Sequence, residues 1–355
     1  MRKTLKNNFK MIRAKISKHA LYHNLCYLRK KSKAEVMVVL KANAYGHGMV
    51  EMANICRKMN VNYIGVSTID EAIQLRQNGD KGRILTWLYD PTHLNDAVIH
   101  DIDIGVFDES HIPLLSRLPN VNIHLFVDTG INRNGIPYDR AIHSAQTVVS
   151  HSNLNLVGIM SHLCCASTDK QKTENQFELF RKLKQDLHKL DIKPQWFHIA
   201  NSAGTIYYKN EFNMVRCGEG FYGLIQHPHI KPALVVTSSI VQLKQINKGE
   251  GIGYDQEYKT KKKQYIGIVP VGYADLLPFT KSGDLSVYVN GTKRKVLGVE
   301  SMDQIVVEAT SKDKVGDNVE LFGKQQTVQT FTKKSKTLIK EMVTHIGDRV
   351  FKEYT

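Results

Sequence analysis

Val36–Gly48 reads V-M-V-V-L-K-A-N-A-Y-G-H-G. Its first five residues, Val36, Met37, Val38, Val39 and Leu40, form a continuous apolar run. Such a run suits a parallel strand buried on both faces. It ends in one amine, Lys41, and Gly46 and Gly48 free the backbone for a tight turn before a helical stretch near Met49. A lysine at the mouth of a buried strand can be desolvated enough to act as a nucleophile or base. On periodicity alone, a snorkelling structural lysine accounts for the same pattern.

Working outward, similar runs recur between Ala34 and about Leu224. They are Val36–Leu40, Tyr63–Val66, Arg83–Leu85, Ile104–Phe107, Ile123–Val127, Leu156–Met160, Trp196–Ile199 and Met214–Arg216. Amphipathic stretches lie between several of them; Phe180, Leu183, Leu187 and Leu190 recur at helical spacing. Eight alternating strand–helix units predict an α/β fold, a (β/α)8 TIM-like barrel. The rival open sheet lacks its phosphate-binding G-x-G-x-x-G after the first strand.

Beyond Pro232 the texture becomes mainly β. Ala233–Ile246, Gln264–Val269, Leu285–Val289, Lys293–Leu297, Gln304–Val307 and Asn318–Leu321 read as strands, with Asn290-Gly291 as a hairpin turn. The expected organisation is three-part. Residues 1–16 are a tail and a strand that joins the β domain, 17–231 the barrel, and 232–355 a mainly β C-terminal domain.

The chain has 355 residues and a net charge of +15, from 49 Lys+Arg against 34 Asp+Glu. The basic residues are spread out, apart from short runs at Lys261–Lys263 and Lys333–Lys336, and no zinc-finger or aromatic RNA-binding motif accompanies them. A small-molecule enzyme is therefore expected, with no nucleic-acid partner. Met1–Ala34 holds eleven Lys/Arg and no acid, a transit-peptide-like composition. However, Met11–Ile16 and the stripe Leu21, Leu25, Leu28 look folded, which leaves only about ten residues of loose tail. Cys26, Cys56, Cys164, Cys165 and Cys217 are odd in number and lack C-x-x-C spacing, so reduced thiols and no metal site are expected. No apolar run approaches the ~18 residues of a membrane span. A cytoplasmic location follows as the expectation.

Functional groups of a β/α barrel gather at the C-terminal ends of its strands. Lys41, Asp128-Thr129-Gly130 with Arg133, Ser161-His162, His198 with Asn201-Ser202, and Arg216 with Gly218 all fall there. Each has a structural alternative. Asp128-Thr129-Gly130 reads equally as a turn, His162 as a satisfied core histidine, Asn201-Ser202 as a helix cap and Arg216 as a partner of a structural carboxylate. Their convergence on one mouth favours a site.

The strings K-A-N-A-Y-G-H-G (41–48), D-T-G-I-N-R-N-G (128–135), S-H-L (161–163), H-I-A-N-S-A (198–203), R-C-G-E-G-F-Y-G (216–223), G-I-G-Y (251–254), V-G-Y-A-D (271–275) and S-M-D-Q (301–304) occur in that order. This succession resembles the alanine racemases. The resemblance implies pyridoxal 5′-phosphate (PLP) as cofactor and the interconversion of L- and D-alanine, supplying D-alanine for peptidoglycan. It implies Lys41 as the amine that holds PLP and as the base on one face of the substrate, with Tyr254 the base on the other. Tyr45, His162, Asn201, Ser202, Arg216, Gly218 and Glu219 would serve the cofactor, with Arg216 facing its ring nitrogen. Arg133 and the Met302 backbone would hold the substrate carboxylate, and His162 and Arg133 are candidates for tuning Tyr254. Because the tyrosine comes from a second subunit in this family, a homodimer is implied.

Departures accompany the resemblance. Phe126 stands where many members carry a lysine, often carbamylated, so Arg133 must be positioned otherwise. Cys217 and Glu219 replace a proline and a small apolar residue, and Glu219 is expected to point away from the phosphate. Ser301 stands where cysteine is frequent. I-G-D-R-V at Ile346–Val350 places Asp348 where the family has a phosphate-contacting tyrosine. A changed mouth could admit serine or other amino acids. A non-catalytic PLP-binding protein and an amino-acid decarboxylase are further alternatives.

Overall fold

The computed structural model describes residues 11–280 and 285–355. The expected N-terminal tail lies outside the described residues. The chain forms two compact units: one of residues up to 21 with Tyr45–His47 and Tyr222–Thr355, the other of Tyr22–Ala44 and Gly48–Phe221.

The first strand, β1 (Arg13–Ile16), belongs to the first unit. The eight barrel strands are β2 (Glu35–Val39), β3 (Tyr63–Gly65), β4 (Arg83–Thr86), β5 (Asp103–Val106), β6 (Val121–Asp128), β7 (Leu154–Met160), β8 (Trp196–His198) and β9 (Met214–Cys217), with a two-residue strand, Ile136–Pro137, paired to β6. They pair in the order β9-β2-β3-β4-β5-β6-β7-β8, all parallel. Beyond the ends of this ladder, Arg216 N–H donates to Ala200 O at 2.9 Å and brings β9 back to β8. The result is the expected TIM-like barrel, nearly closed. Its interior holds a layer of Met37, Tyr63, Leu85, Phe126, Met160 and Met214, the side-chain filling that makes such a barrel a core rather than a pore.

The helix Lys170–Lys189 buries Phe180, Leu183 and Leu187 as its spacing predicts. Leu190 does not follow them: it is the C-cap, where the helix ends, and stands 46 % exposed.

In the first unit the remaining strands are β10 (Leu234–Ser239), β11 (Gln242–Ile246), β12 (Gln264–Val269), β13 (Ser286–Val289), β14 (Thr292–Lys295), β15 (Ile305–Ala309), β16 (Asn318–Phe322) and β17 (Phe351–Tyr354), with two-residue strands at Gly251–Ile252 and Tyr258–Lys259. One sheet runs β14-β13-β16-β10-β1-β17 and another β11-β12-β15. Ala233–Ile246, expected as one strand, is two. Ile240 and Val241 break it, and its halves enter different sheets. Asn290 (φ 46°) and Gly291 (φ 80°) link β13 to β14, the paired positive dihedrals of a hairpin turn that matches strand twist.

Candidate active site

The backbone after Lys41 departs from every expectation of local propensity. Ala42, Asn43, Ala44 and Tyr45 are all left-handed, with φ of 53°, 52°, 57° and 52°. Each costs an L-residue roughly 1–2 kcal/mol, so the turn stands only because its surroundings hold it. Glu71 Oε1 accepts Ala42 N–H at 2.7 Å, and Asn43 Oδ1 accepts Met49 N–H at 2.8 Å. The Asn43 carbonyl takes Gly48 N–H at 2.9 Å. Glu71 is itself fixed as the third residue of a helix capped by Thr68 in a reciprocal capping box. The strained turn pins the position of Lys41, whose Nζ lies 5.9 Å from the centroid of the Trp87 ring. Sequence reasoning missed both Glu71 and Trp87. The capping box T-I-D-E was a visible signal for Glu71.

Within the first unit, Tyr45 and His47 pack on Tyr222, with ring centroids 5.1 and 4.5 Å away. Tyr354 Oη donates to His47 O at 2.7 Å. Gly46 has φ 76°, and a Cβ there would sit 1.9 Å from Val343 O. Only glycine fits.

The C-terminal ends of the barrel strands carry the other candidates. Asp128 ends β6 and is fully used as a turn: its Oδ1 accepts Gly130 and Ile131 N–H at 2.8 and 2.9 Å, and its Oδ2 accepts Asn132 N–H at 2.9 Å. That turn presents Arg133, exposed, with Nε 3.3 Å from Asn134 Oδ1. Phe126 is buried in the barrel interior and offers Arg133 no charge. Asn201 caps the helix Ser202–Tyr207 by accepting Gly204 N–H at 3.0 Å, and its Nδ2 donates to Leu163 O at 3.2 Å. Ser202 Oγ, buried, accepts Gly220 N–H at 3.0 Å, which ties that helix start to the Gly218-Glu219 turn. Gln176, 3 % exposed, was not anticipated. Its amide donates to Thr129 Oγ1 and His162 O and accepts Cys164 N–H, so one side chain fastens the loops after β6 and β7.

Arg216 is the centre of this mouth. Its Nη1 donates to His198 O and His198 Nδ1, both at 2.8 Å. Its Nη2 donates to Ser161 O and, at 3.1 Å, to His162 Nδ1. These four contacts use the four hydrogens of the terminal nitrogens, and Nε–H has no acceptor among the described residues. Burial lowers the guanidinium to about 10, assisted by Arg133; it stays charged at neutral pH. His198 is held well below its ordinary range by burial, then by Arg216 and His124, and is neutral.

Residues 16–226 match the family model described as "Alanine racemase, N-terminal domain", and 233–354 that of "Alanine racemase, C-terminal domain". The chain belongs to the alanine racemase family. It is 34 % identical to the alanine racemase of Thermobifida fusca, over 96 % of this chain and 97 % of that one. It is 31 % identical to that of Borreliella burgdorferi, over 99 % and 98 %. The solved alanine racemase of Streptomyces lavendulae, a D-cycloserine producer, superposes with a TM-score of 0.90 at 30 % identity, covering 98 % of each chain. As an alanine racemase family member the chain is an isomerase-class enzyme. Among the described residues no group of three or more His, Cys, Asp or Glu could hold a metal ion, and no helix is long and apolar enough to cross a membrane.

The family's β-domain motifs lie in the first unit. Tyr254 opens a short helical turn and is 71 % exposed; Met302 is 53 % exposed. The V-G-Y-A-D and S-M-D-Q strings pair through Tyr273 N–H to Ser301 O at 3.2 Å and Ala274 N–H to Met302 O at 3.0 Å. Asp348 is exposed. Its neighbour Arg349 reaches Asp275 Oδ1 at 2.9 Å and Asp303 Oδ1 at 2.6 Å, so three separated motifs meet on one guanidinium.

Proposed function

We propose that the chain interconverts L- and D-alanine in the cytoplasm with PLP as cofactor, supplying D-alanine for peptidoglycan. The observation that carries this reading is Arg216: a buried, charged guanidinium whose one unclaimed donor among the described residues is Nε–H. A ring nitrogen that must stay unprotonated fits that donor, because guanidinium gives a hydrogen bond but does not surrender its proton. Lys41 would hold the cofactor aldehyde. Ser202 and the amides near Gly218 and Glu219 would receive its phosphate, with Tyr45, Asn201 and His162 completing the cradle. PLP bound there would supply an electron sink for the substrate α-carbon, a restrained one opposite Arg216.

The chain's own residues would do the rest. Arg133 and the Met302 backbone would hold the substrate carboxylate. Arg133 and Arg216 are two cations at one mouth, and they favour anionic ligands. Lys41 Nζ would take or return the α-proton on one face and Tyr254 Oη on the other, since inversion needs one base per face. The exposure of Tyr254 supports its delivery to a second copy of the chain, as a homodimer with shared sites would require.

The test is the protein with PLP and L-alanine or L-serine, followed by chiral separation. D-alanine formed in preference to D-serine supports the reading; no D-alanine overturns it. Lys41→Ala is expected to remove both the cofactor absorbance of the lysine-bound form and racemisation. Tyr254→Phe is expected to keep cofactor binding and lose racemisation by ~100-fold or more, the scale of a positioned acid–base group. An unchanged rate would reassign the second base.

A further inference from the structure

Arg216 does not end at His198. The His198 ring meets a second buried imidazole, with Nε2 of His198 2.8 Å from Nδ1 of His124. Nε2 of His124 lies 3.3 Å from the Tyr63 hydroxyl, and that hydroxyl makes a short bond to Asp103 Oδ2. Arg83 Nη2 closes the series on the same oxygen at 2.7 Å. Arg216, His198, His124, Tyr63 and Asp103 are all at most 4 % exposed. They stand on β9, β8, β6, β3 and β5. Arg216 and His198 are at the C-terminal ends of their strands, and Tyr63, Asp103 and Arg83 are the first residues of theirs. The series therefore crosses the barrel interior from the mouth that holds Lys41 to the opposite one.

Its direction is fixed at both ends. A guanidinium has no acceptor, so His198 Nδ1 must accept from Arg216. A neutral imidazole has one donor and one acceptor, so His198 carries its proton on Nε2 and gives it to His124 Nδ1. His124 likewise carries its proton on Nε2, pointing at Tyr63 Oη. At the far end a carboxylate only accepts, so the Tyr63 hydroxyl donates to Asp103. Burial, then Asp103, raises the tyrosine well above its ordinary range, consistent with a phenol that keeps its proton. The 3.7 Å from His124 Nε2 to Asp103 Oδ2 is too long for a direct bond, which makes the tyrosine a necessary link. Space for the central ring is cleared by Gly158, the residue paired with His124 across β6 and β7. A Cβ there would lie 2.3 Å from His124 Nδ1.

We propose that Tyr63 and Asp103 are positioning residues for Arg216: they terminate a one-way hydrogen-bond chain that locks His124 and His198 as Nε2–H tautomers and so holds the guanidinium in place. Reversing either ring would set N–H against N–H within the chain, and the reversal would propagate to Arg216. Asp103 need only accept, so its hydrogen-bonding oxygen matters more than its charge. The role at the ring nitrogen rests on the reading of Arg216 above; the tautomer assignment does not.

The experiment uses the holoenzyme labelled with 15N-histidine, with the signals of His124 and His198 identified by their loss in His124→Gln and His198→Gln. Long-range proton–nitrogen spectra are expected to show both rings neutral and protonated at Nε2. Tyr63→Phe leaves the His124 Nε2–H without its acceptor and is expected to move the His124 nitrogen signals, to shift the absorbance of bound PLP and to lower kcat about tenfold with KM within twofold. Asp103→Leu should behave alike. Asp103→Asn, which keeps an acceptor for the tyrosine, should keep wild-type His124 signals and most of kcat. Arg83→Met removes donors to Asp103 Oδ2 and, at 3.4 Å, to Tyr63 Oη but no acceptor of the chain, and should leave the tautomers unchanged. A wild-type Nδ1–H or doubly protonated ring at either histidine overturns the proposal. So do unchanged His124 nitrogen signals and absorbance in Tyr63→Phe, or equal losses in Asp103→Asn and Asp103→Leu. Correct tautomers in a protein that neither binds PLP nor racemises alanine would overturn the positioning role and the functional reading together, leaving only the hydrogen-bond assignment.

Discussion

Asn43 Oδ1 accepts the Met49 N–H at 2.8 Å across the left-handed turn that follows Lys41. One residue thereby does two things. It caps the helix Met49–Lys58 from six positions upstream, and it occupies a left-handed dihedral (φ 52°) that asparagine tolerates better than most residues. Asn43→Ala removes the cap bond and raises the strain. The expected loss is about 1–3 kcal/mol of stability, the sum of a lost cap and an unfavourable backbone. Because the turn sets the position of Lys41, kcat should fall as well. Urea unfolding and steady-state racemisation measured together check both; full stability with normal activity would show that the turn is held without the Asn43 side chain.

Arg349 connects Asp275, of which 2 % of the side chain is exposed, with the exposed Asp303. Asp275 also accepts Gly272 N–H at 2.8 Å and so braces the loop beside Met302. Gly272 has no room for a Cβ, which would lie 2.1 Å from Met302 O. Arg349→Met leaves a buried carboxylate without its cation and loosens the backbone proposed to meet the substrate. A higher KM for alanine with a smaller change in kcat is expected. A fall in kcat alone would place Arg349 outside substrate binding.

The barrel was legible because parallel strands buried on both faces leave continuous apolar runs. The eight runs beginning at Val36 each became a strand within one to two residues. The left-handed turn was not legible. Ala42, Ala44 and Tyr45 carry no signal for positive φ, and the turn is braced by Glu71 and Asn43, partners that propensity cannot see. The ends of strands pointed to Lys41, His162, His198 and Arg216. His124, Tyr63 and Asp103 were hidden, because they sit on interior positions of different strands and become neighbours only when the barrel closes. Phe126 was read only as a departure from the family pattern, and packing shows it taken up by the interior layer with Met37 and Met160. The break at Ile240-Val241 was missed because both residues suit a strand, while the change of sheet is a tertiary event.

The five cysteines divide by environment. Cys56 and Cys217 are buried, and burial pushes each thiol up to about 12. The thiolate is the reactive form, so neither should react in the native protein. Cys26 and Cys164 are exposed and Cys165 half-buried, with Cys164 and Cys165 Sγ atoms 3.0 Å apart. A chromogenic disulfide reagent at pH 8 should therefore label Cys26, Cys164 and Cys165, and release the remaining two only after unfolding. Peptide mapping identifies the sites. Rapid labelling of Cys217 would mean that the strand carrying Arg216 opens in the native state.

The neutral His198 makes stability depend on pH with a definite sign. Its folded-state affinity for protons is depressed well below the ordinary value of 6.5, so below 6.5 the unfolded chain binds a proton that the folded chain refuses. The contribution is present above pH 6.5 and is lost as pH falls towards the folded value, by up to about 1.4 kcal/mol per unit for one proton. His111, also depressed by burial, adds in the same direction, so the group must be isolated by substitution. His198→Gln keeps an amide oxygen for Arg216 and removes the titration. Between pH 6.5 and 5, wild-type stability from urea unfolding should fall more steeply than that of His198→Gln, by close to one proton. Parallel curves would mean that His198 takes up its proton in the folded state, and Arg216 would then face a cation.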